Sequence, residues 1–488
     1  MISVRGLRVR AGSTVLVDDV CLDVAAGEAV TLFGPSGAGK TTIAAAIAGV
    51  RRPGVVVDGQ IRLSGARVGY LPQHAAATLN PARRIGAALG EYAGIHVRPG
   101  GHRLGRGARR VLVAQALSAA AFDIDGADLG RLLRRFPVEF SGGERARLAL
   151  AQVLASDPQV LIVDEPTVGL DPPARAKLLD SLDLLRRNGT AVVLVTHDRV
   201  AVRRLGGRVL RVERGRVRSG GLPAPGPDGP APSRPVPQRP VLCLRDISVT
   251  RRNTPILRNV DLELGAGELL AMVGVSGAGK STIARVLAGL DAPGAGRVEL
   301  DGAPLPVLRK RSRADIAAVQ YVWQESAGSF DPRRTVLDQV AATALRLRGH
   351  TRTEAYATAV AVLAELEIDV EQARRYPPNL SGGQLQRAAL ARALTAEPRA
   401  LICDEVTTAL DHRLAQRILA VVEDRCHGRG TAVLWISHDI RTAVHRADRL
   451  AVVDSGRITE QGTAQQLVDD PATSALRVLL HADDLDRD

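Results

Sequence analysis

The chain is predicted to be α/β, two tandem copies of one domain, each built on a mostly parallel sheet. Three observations carry this. Lys40 and Lys280, Ser141 and Ser381, and Asp164 and Asp404 are each 240 residues apart. Short continuous apolar runs alternate with helical patterns, as in sheets buried on both faces. A stretch dense in Pro and Gly splits the 488 residues into halves of similar length. A fixed offset across unrelated motifs marks a duplication.

Each half reads in the same order. Val30 to Phe33 and Leu269 to Val273 are apolar strands feeding Gly-rich turns. A helix, a middle region and a second helix follow. Val160 to Val163 and Ala400 to Cys403 are apolar runs ending in acid, and Ala191 to Val195 and Ala432 to Ile436 run up to Thr196-His197 and Ser437-His438. In a parallel sheet, functional groups collect at the carboxyl ends of such strands. The first domain is expected over 1–219 and the second over 241–488, with 220–240 as a semi-rigid exposed linker.

Composition narrows the class. The chain is 45% hydrophobic and 24% charged, ordinary for globular protein, but only 2% aromatic, so the cores rest on Val, Leu, Ile and Ala. The four cysteines form no metal-binding spacing, and no disulfide is expected. No apolar run approaches the roughly 20 residues that cross a bilayer, and the N-terminus reads as strand rather than signal peptide. The net charge of +13 is read as a basic solvated surface, because the arginines are spread along the chain. Only four lysines occur: Lys40, Lys177, Lys280 and Lys310.

Two of those lysines close the pattern GxxxxGK[ST], from Gly34 to Thr41 and from Gly274 to Ser281. Each pattern follows a strand and opens a helix, the context of a phosphate-binding loop. Gly34, Ser36, Gly37 and Gly39, with Gly274, Ser276, Gly277 and Gly279, are expected to curl backbone N–H groups around phosphate oxygens. Lys40 and Lys280 are placed on the β- and γ-phosphates, where a compact ammonium fits better than a forked guanidinium. Thr41 and Ser281 are expected to hold Mg²⁺, with Thr42 and Thr282 beside them. Asp164 and Asp404 are expected on the same ion through water, and Glu165 and Glu405 on an attacking water. Ser141-Gly142-Gly143 and Ser381-Gly382-Gly383-Gln384 each open an apolar helix and form a second anion cradle. A second cradle has a use if it faces the nucleotide of the other half.

The run LSGGQLQR, after a phosphate loop and before ICDE, resembles the ATP-binding-cassette family signature, and the resemblance covers essentially both halves. It implies two tandem P-loop nucleotidase domains, each with an antiparallel β part and a helical subdomain, clamped head to tail around two ATPs. It makes Gln73 and Gln324 the Q-loop residues, coupling to membrane subunits and sensing Mg²⁺. Asp171 and Asp411 match the D-loop, and His197 and His438 the histidines that contact the γ-phosphate. Gln73-His74 to Asn80-Pro81 and Gln324-Glu325 to Asp331-Pro332 resemble the corresponding stretch of peptide and nickel importers. That implies ATP-driven import of peptides, nickel or a metal chelate, at the cytoplasmic face of the membrane, with two permease chains and, indirectly, an extracytoplasmic solute-binding protein. No iron–sulfur cluster and no nucleic acid are expected.

Three departures stand out. The family stacks adenine on an aromatic before the phosphate loop; here Arg10 and Arg251 are the candidate substitutes. Glu144 takes the place that Gln384 holds in the second half. The lysine-to-glutamine spacing is 33 in the first half (40 to 73) and 44 in the second (280 to 324), so non-identical permease partners are expected. All hydrolytic residues are present twice, which calls for two active sites. The rival reading, a ribosome-associated factor of the same tandem build, calls for a long charged helical connector that this sequence lacks.

Overall fold

The structure, a computed structural model, describes residues 1–35, 37–73, 75–95, 104–122, 126–140, 142–167, 170–222, 239–407, 410 and 412–483. Ser36, His74, Ser141 and Asp411, and most of the expected linker, lie outside the described residues. The chain divides into two compact units, Met1–Pro225 and Gly226–Asp488.

The strands of the first unit are β1 (Ile2–Ala11), β2 (Thr14–Val24), β3 (Ala29–Phe33), β4 (Val55–Arg62), β5 (Val68–Leu71), β6 (Val160–Asp164), β7 (Ala191–Thr196), β8 (Arg208–Glu213) and β9 (Arg216–Ser219). Six form one sheet in the order β5-β6-β7-β3-β8-β9. All its pairings are parallel except β8 with the edge strand β9. The other three make an antiparallel sheet, β2-β1-β4.

The main sheet is sealed on both faces, and the two-residue period of a strand shows how. Leu161, Val163, Val192 and Leu194 pack against helical residues such as Leu117, Leu148 and Leu179. Their neighbours Val160, Ile162, Val193 and Val195 pack the other way, on Val4, Leu7 and Val20 of the antiparallel sheet and on Ile43 and Ile47 of the helix Lys40–Ile47. The central strands β6 and β7 are buried along their whole length and carry no polar residue until they end, at Asp164 and Thr196.

The second unit repeats this plan with β10 (Pro240–Arg251), β11 (Thr254–Gly265), β12 (Leu269–Val273), β13 (Ala295–Leu300), β14 (Ala303–Pro304), β15 (Val319–Val322), β16 (Ala400–Asp404), β17 (Ala432–Ile436), β18 (Arg449–Asp454) and β19 (Arg457–Thr463). Its sheets run β15-β16-β17-β12-β18-β19 and β11-β10-β13-β14. The expected parallel core, antiparallel part and helical region are therefore present in both units. The longer spacing before Gln324 is folded chain: β14, a turn at Leu308–Lys310 and the helix Arg313–Ala318. Arg311 anchors it, donating to Leu287 O at 3.0 Å and Pro306 O at 2.9 Å. Burial lowers that guanidinium to about 10.

Gly34 and Gly274 begin the loops against the neighbouring strand, where a Cβ would stand 2.3 Å from Val212 O and 2.2 Å from Val453 O. Backbone carbonyls cannot swing aside. Gly34→Ala and Gly274→Ala are expected to destabilise their units by about 1–3 kcal/mol in urea denaturation. Gly142→Ala, whose Cβ would meet open space, is expected to change stability by under about 0.5 kcal/mol.

Candidate nucleotide site

The parallel register brings four chain segments to one end of each sheet. In the first unit, Phe33 pairs with Thr196, Asp164 with Val195, and Leu71 with Val163. The Gly-rich loop, the acidic pair, His197 and Gln73 therefore all emerge at the same carboxyl edge.

Gly39 precedes the helix Lys40–Ile47 at φ 101°, a left-handed conformation that glycine adopts without strain. It brings no capping side chain, so the first helical N–H groups are left for a ligand. Lys40 is 6% exposed, and its ammonium folds back over the loop, donating to Gly34 O at 2.8 Å and Pro35 O at 3.0 Å. Lys280 does the same, to Gly274 O at 2.7 Å and Val275 O at 2.9 Å. Such a loop is a concave positive site, suited to phosphate oxygens.

The acidic pairs face it. Asp164 is fully buried, and among the described residues neither carboxyl oxygen has a hydrogen-bond partner. Burial pushes its pKa up to about 6, with the nearby Thr41 hydroxyl pulling the other way. Asp404 is raised too, first by burial, but it is bonded: Ser281 Oγ donates to Oδ1 at 3.2 Å and Tyr321 OH to Oδ2 at 2.6 Å. A hydroxyl beside a buried carboxylate is a hard oxygen donor set, and the orphaned Asp164 oxygens fit a divalent cation such as Mg²⁺.

Glu165 and Glu405 follow in the left-handed region, at φ 49° and 53°, which is strained for glutamate. The turn is held by Glu165 N–H donating to Val195 O at 2.8 Å and Glu405 N–H to Ile436 O at 3.2 Å. Glu165 Oε1 lies 2.8 Å from His197 Nδ1, while Thr196 Oγ1 donates to Oε2 at 3.2 Å. Burial lowers the His197 pKa, but the Glu165 carboxylate outweighs it and the net shift is upward. Glu405 contacts His438 Nε2 and accepts from Gln324 Nε2 at 2.5 Å. Gln73 lines a small cavity with Glu165 and Arg147.

Gly142 and Gly143 open the helix Gly142–Leu154, and Ser381 caps the helix Gly382–Leu394. Ser381 Oγ accepts from Gln384 N–H at 3.2 Å, and Gln384 Oε1 accepts from Ser381 N–H at 2.8 Å. Asp171 caps the helix Pro172–Arg187 through Ala174 N–H at 2.9 Å. The candidate adenine stackers are both in ion pairs: Arg10 with Asp58 at 3.0 Å, and Arg251 with Asp291.

Tyr70 and Tyr321 are the residues that the sequence reading missed. The Tyr321 hydroxyl bonds Asp404, the register puts Tyr70 on the same sheet face as Asp164, and burial, with the Asp164 charge adding to it, pushes Tyr70 up to about 12. The signal was available, since each tyrosine precedes its Q-loop glutamine by three residues, Tyr70 to Gln73 and Tyr321 to Gln324.

The profile of the ABC transporter ATP-binding domain matches twice, over residues 17–168 and 257–408. The chain belongs to the ABC transporter family. It is 30% identical to an uncharacterized ABC transporter ATP-binding protein, YejF of Escherichia coli K12, over 97% of both chains. It is 29% identical to the peptidoglycan transport ATP-binding protein YejF of Agrobacterium fabrum, over 99% of this chain and 96% of the relative. It is 28% identical to the oligopeptide transport ATP-binding protein OppD of Mycobacterium tuberculosis, over 93% of both. The solved ATP-binding cassette MJ0796, bound to ADP and Pi, is 27% identical at a TM-score of 0.42, covering 46% of this chain and 98% of its own. This ABC protein is a tandem ATP-binding subunit whose ATP hydrolysis is coupled to transport. Among the described residues, no helix is long and apolar enough to cross a membrane.

A second cluster, Cys426, His427 and Asp448, brings its donor atoms within 4.8 Å of one another. It lies at the amino end of the sheet, away from the nucleotide loop. Asp448 Oδ2 is already engaged by Leu269 N–H at 2.8 Å and His427 Nε2 at 3.0 Å. Cys426 and His427 are consecutive on the helix His412–Arg429, so their side chains diverge by about 100°. The arrangement is a hydrogen-bonded His–Asp pair beside a core thiol.

The raised Asp164 pKa has a thermodynamic sign. The native carboxyl holds its proton to about pH 6, above its ordinary 3.8. The folded state therefore binds more protons than the unfolded state across that window, and stability falls as pH rises through it. Asp164→Asn removes the penalty. Without nucleotide or metal, it is expected to raise stability at pH 7.5 by up to roughly 3 kcal/mol and to leave it nearly unchanged at pH 3.5. Thermal denaturation at the two pH values checks this.

Proposed function

We propose that each unit binds one Mg²⁺–ATP at the edge just described, and that the import of a peptide-class solute is driven by hydrolysis there. The observation that supports this most directly is the repeated constellation of a lysine folded over its Gly-rich loop and a strained glutamate bonded to a histidine across from it.

In this reading, Lys40 and Lys280 leave their loop carbonyls for the β- and γ-phosphates. Thr41, Asp164 and Gln73 in one unit, and Ser281, Asp404 and Gln324 in the other, would hold Mg²⁺, which when bound would supply positive charge to the phosphate oxygens. The Glu165–His197 contact is a resting pair. When His197 turns toward the γ-phosphate, Glu165 is released to orient water, and His438 frees Glu405 in the same way. Ser141-Gly142-Gly143 and Ser381-Gly382-Gly383, with Gln384, serve as lids for the nucleotide of the other unit, whose N–H-rich helix ends favour a γ-phosphate. Asp171 and Asp411 link the two sites, and Gln73 and Gln324 carry the nucleotide state to the permeases.

The transport names borne by the relatives favour a peptide-class cargo over nickel. The unequal middle regions favour two non-identical permease chains, with the protein held peripherally at the cytoplasmic face and a solute-binding protein on the other side.

Removing the water-orienting carboxylates tests the hydrolytic assignment. Glu165→Gln and Glu405→Gln together are expected to lower steady-state ATPase by at least about 100-fold, while ATP binding is retained. Phosphate release from the protein reconstituted with its permeases measures this; wild-type turnover in the double variant would refute it. Base recognition tests the site from another side. With Arg10 and Arg251 in ion pairs and no aromatic stack, ATP is expected to be preferred over GTP by under about 100-fold, far below the 10⁴ of a site built to read hydrogen bonds. Competition binding measures the ratio.

A further inference from the structure

Tyr70 and Tyr321 belong to none of the motifs that define the nucleotide site, yet both share a sheet face with its aspartates. The sheet register places them there. Tyr70 pairs with Ile162 and Tyr321 with Ile402, each two residues before the aspartate on the adjacent strand. Alternate residues of a strand share a face, so ring and carboxylate lie on the same side of the sheet. In the second unit the contact is made: Tyr321 OH donates to Asp404 Oδ2 at 2.6 Å, leaving Oδ1 to Ser281. In the first unit it is unmade. Tyr70 OH is buried without a hydrogen-bond partner among the described residues, and so are both oxygens of Asp164.

Three buried polar atoms without partners on one face of adjacent strands are an unusual cost, because buried polar groups are nearly always paired. They are also complementary: one O–H donor and two acceptor oxygens. A buried carboxylate free to rotate presents either oxygen to a cation. A fixed hydroxyl on one of them decides which oxygen is left.

Resting on the site assignments proposed above, we infer that Tyr70 and Tyr321 are positioning residues for the metal-binding aspartates: each donates to one carboxylate oxygen and so aims the other, with the Thr41 or Ser281 hydroxyl, at the cation. The second unit has the Tyr321–Asp404 bond already set; in the first, Tyr70 would donate to one Asp164 oxygen and leave the other, with the Thr41 hydroxyl, to hold the cation. The tyrosines act through the aspartates, as outer partners of metal ligands do, whose loss usually weakens metal binding by about 10–100-fold.

The test uses the full-length chain with Mn²⁺ as a paramagnetic probe. Free Mn²⁺ is followed by electron paramagnetic resonance in the presence of a saturating non-hydrolysable ATP analogue. Phenylalanine keeps the ring and removes only the donor. The double variant Tyr70→Phe/Tyr321→Phe is expected to raise the Mn²⁺ dissociation constant about tenfold at both sites, and each single variant is expected to weaken one site and split the isotherm. Binding of the analogue in metal-free buffer is expected to stay at the wild-type level, a readout that general loosening of the core would not preserve. If both tyrosine variants bind Mn²⁺ as the wild type does while Asp164→Asn and Asp404→Asn lose it, the tyrosines are core residues only and the inference falls alone. If the asparagine variants also bind Mn²⁺ normally, the site assignment itself falls, and the inference with it.

Discussion

Two buried ammonium groups set the terms for the whole molecule. Lys40 and Lys280 are 6% and 5% exposed, and each is turned back on the carbonyls of its own loop. A buried cation is tolerated only when it is compensated. The compensation is near at hand, with Glu165 Oε1 3.9 Å from Lys40 Nζ. In the proposed function, phosphate oxygens take the place of these carbonyls and this carboxylate on the ammonium. The surrounding sheet gives the arrangement its rigidity. The central strands β6 and β7 are sealed on both faces by aliphatic side chains, so their charge sits only at the carboxyl ends.

The same constraint explains the strain. Glu165 and Glu405 leave their strands with positive φ, held by a backbone bond to the adjacent strand. A relaxed turn would carry the carboxylate away from the loop. The histidine contacts then fix where the carboxylate points. Charge, strain and hydrogen bonding converge on one small volume at the edge of each sheet, while the rest of each unit is close-packed Val, Leu, Ile and Ala.

Much of this was legible in the residues. The apolar runs ending in Asp164-Glu165 and Asp404-Glu405 gave strands and a site at once, because a polar residue ending such a run has to lie at the sheet edge. The glycine loops were legible because close approach to Val212 O and Val453 O leaves no room for a side chain. Tyr70 and Tyr321 were not, since a tyrosine in an apolar strand reads as core until the register places Asp164 and Asp404 beside it. The ion pairs of Arg10 and Arg251 were equally hidden, because Asp58 and Asp291 lie some 40 to 50 residues away in the chain. Periodicity reports which face a side chain takes. It does not report which distant strand lies alongside.

The duplication makes the two units controls for each other. Where both keep a residue type at the same place, as with the lysines, the acidic pairs and the tyrosines, the chemistry constrains it. Where they part, packing explains the difference. Asp448 bonds back to Leu269 N–H, whereas the first unit has Gly207 there, and a Cβ on it would stand 2.3 Å from Ala29 O. The same comparison locates the real asymmetry of the nucleotide sites. Asp404 is already held by Tyr321 and Ser281, with Gln324 on Glu405, while among the described residues neither Asp164 oxygen has a hydrogen-bond partner and Gln73 borders a cavity. The two edges therefore share one set of residues but differ in how far those residues are assembled before a nucleotide arrives. Under the proposed assignment, a cation in the first unit would relieve a buried carboxyl unpaired among the described residues, whereas in the second it would meet one already bonded to Tyr321 and Ser281.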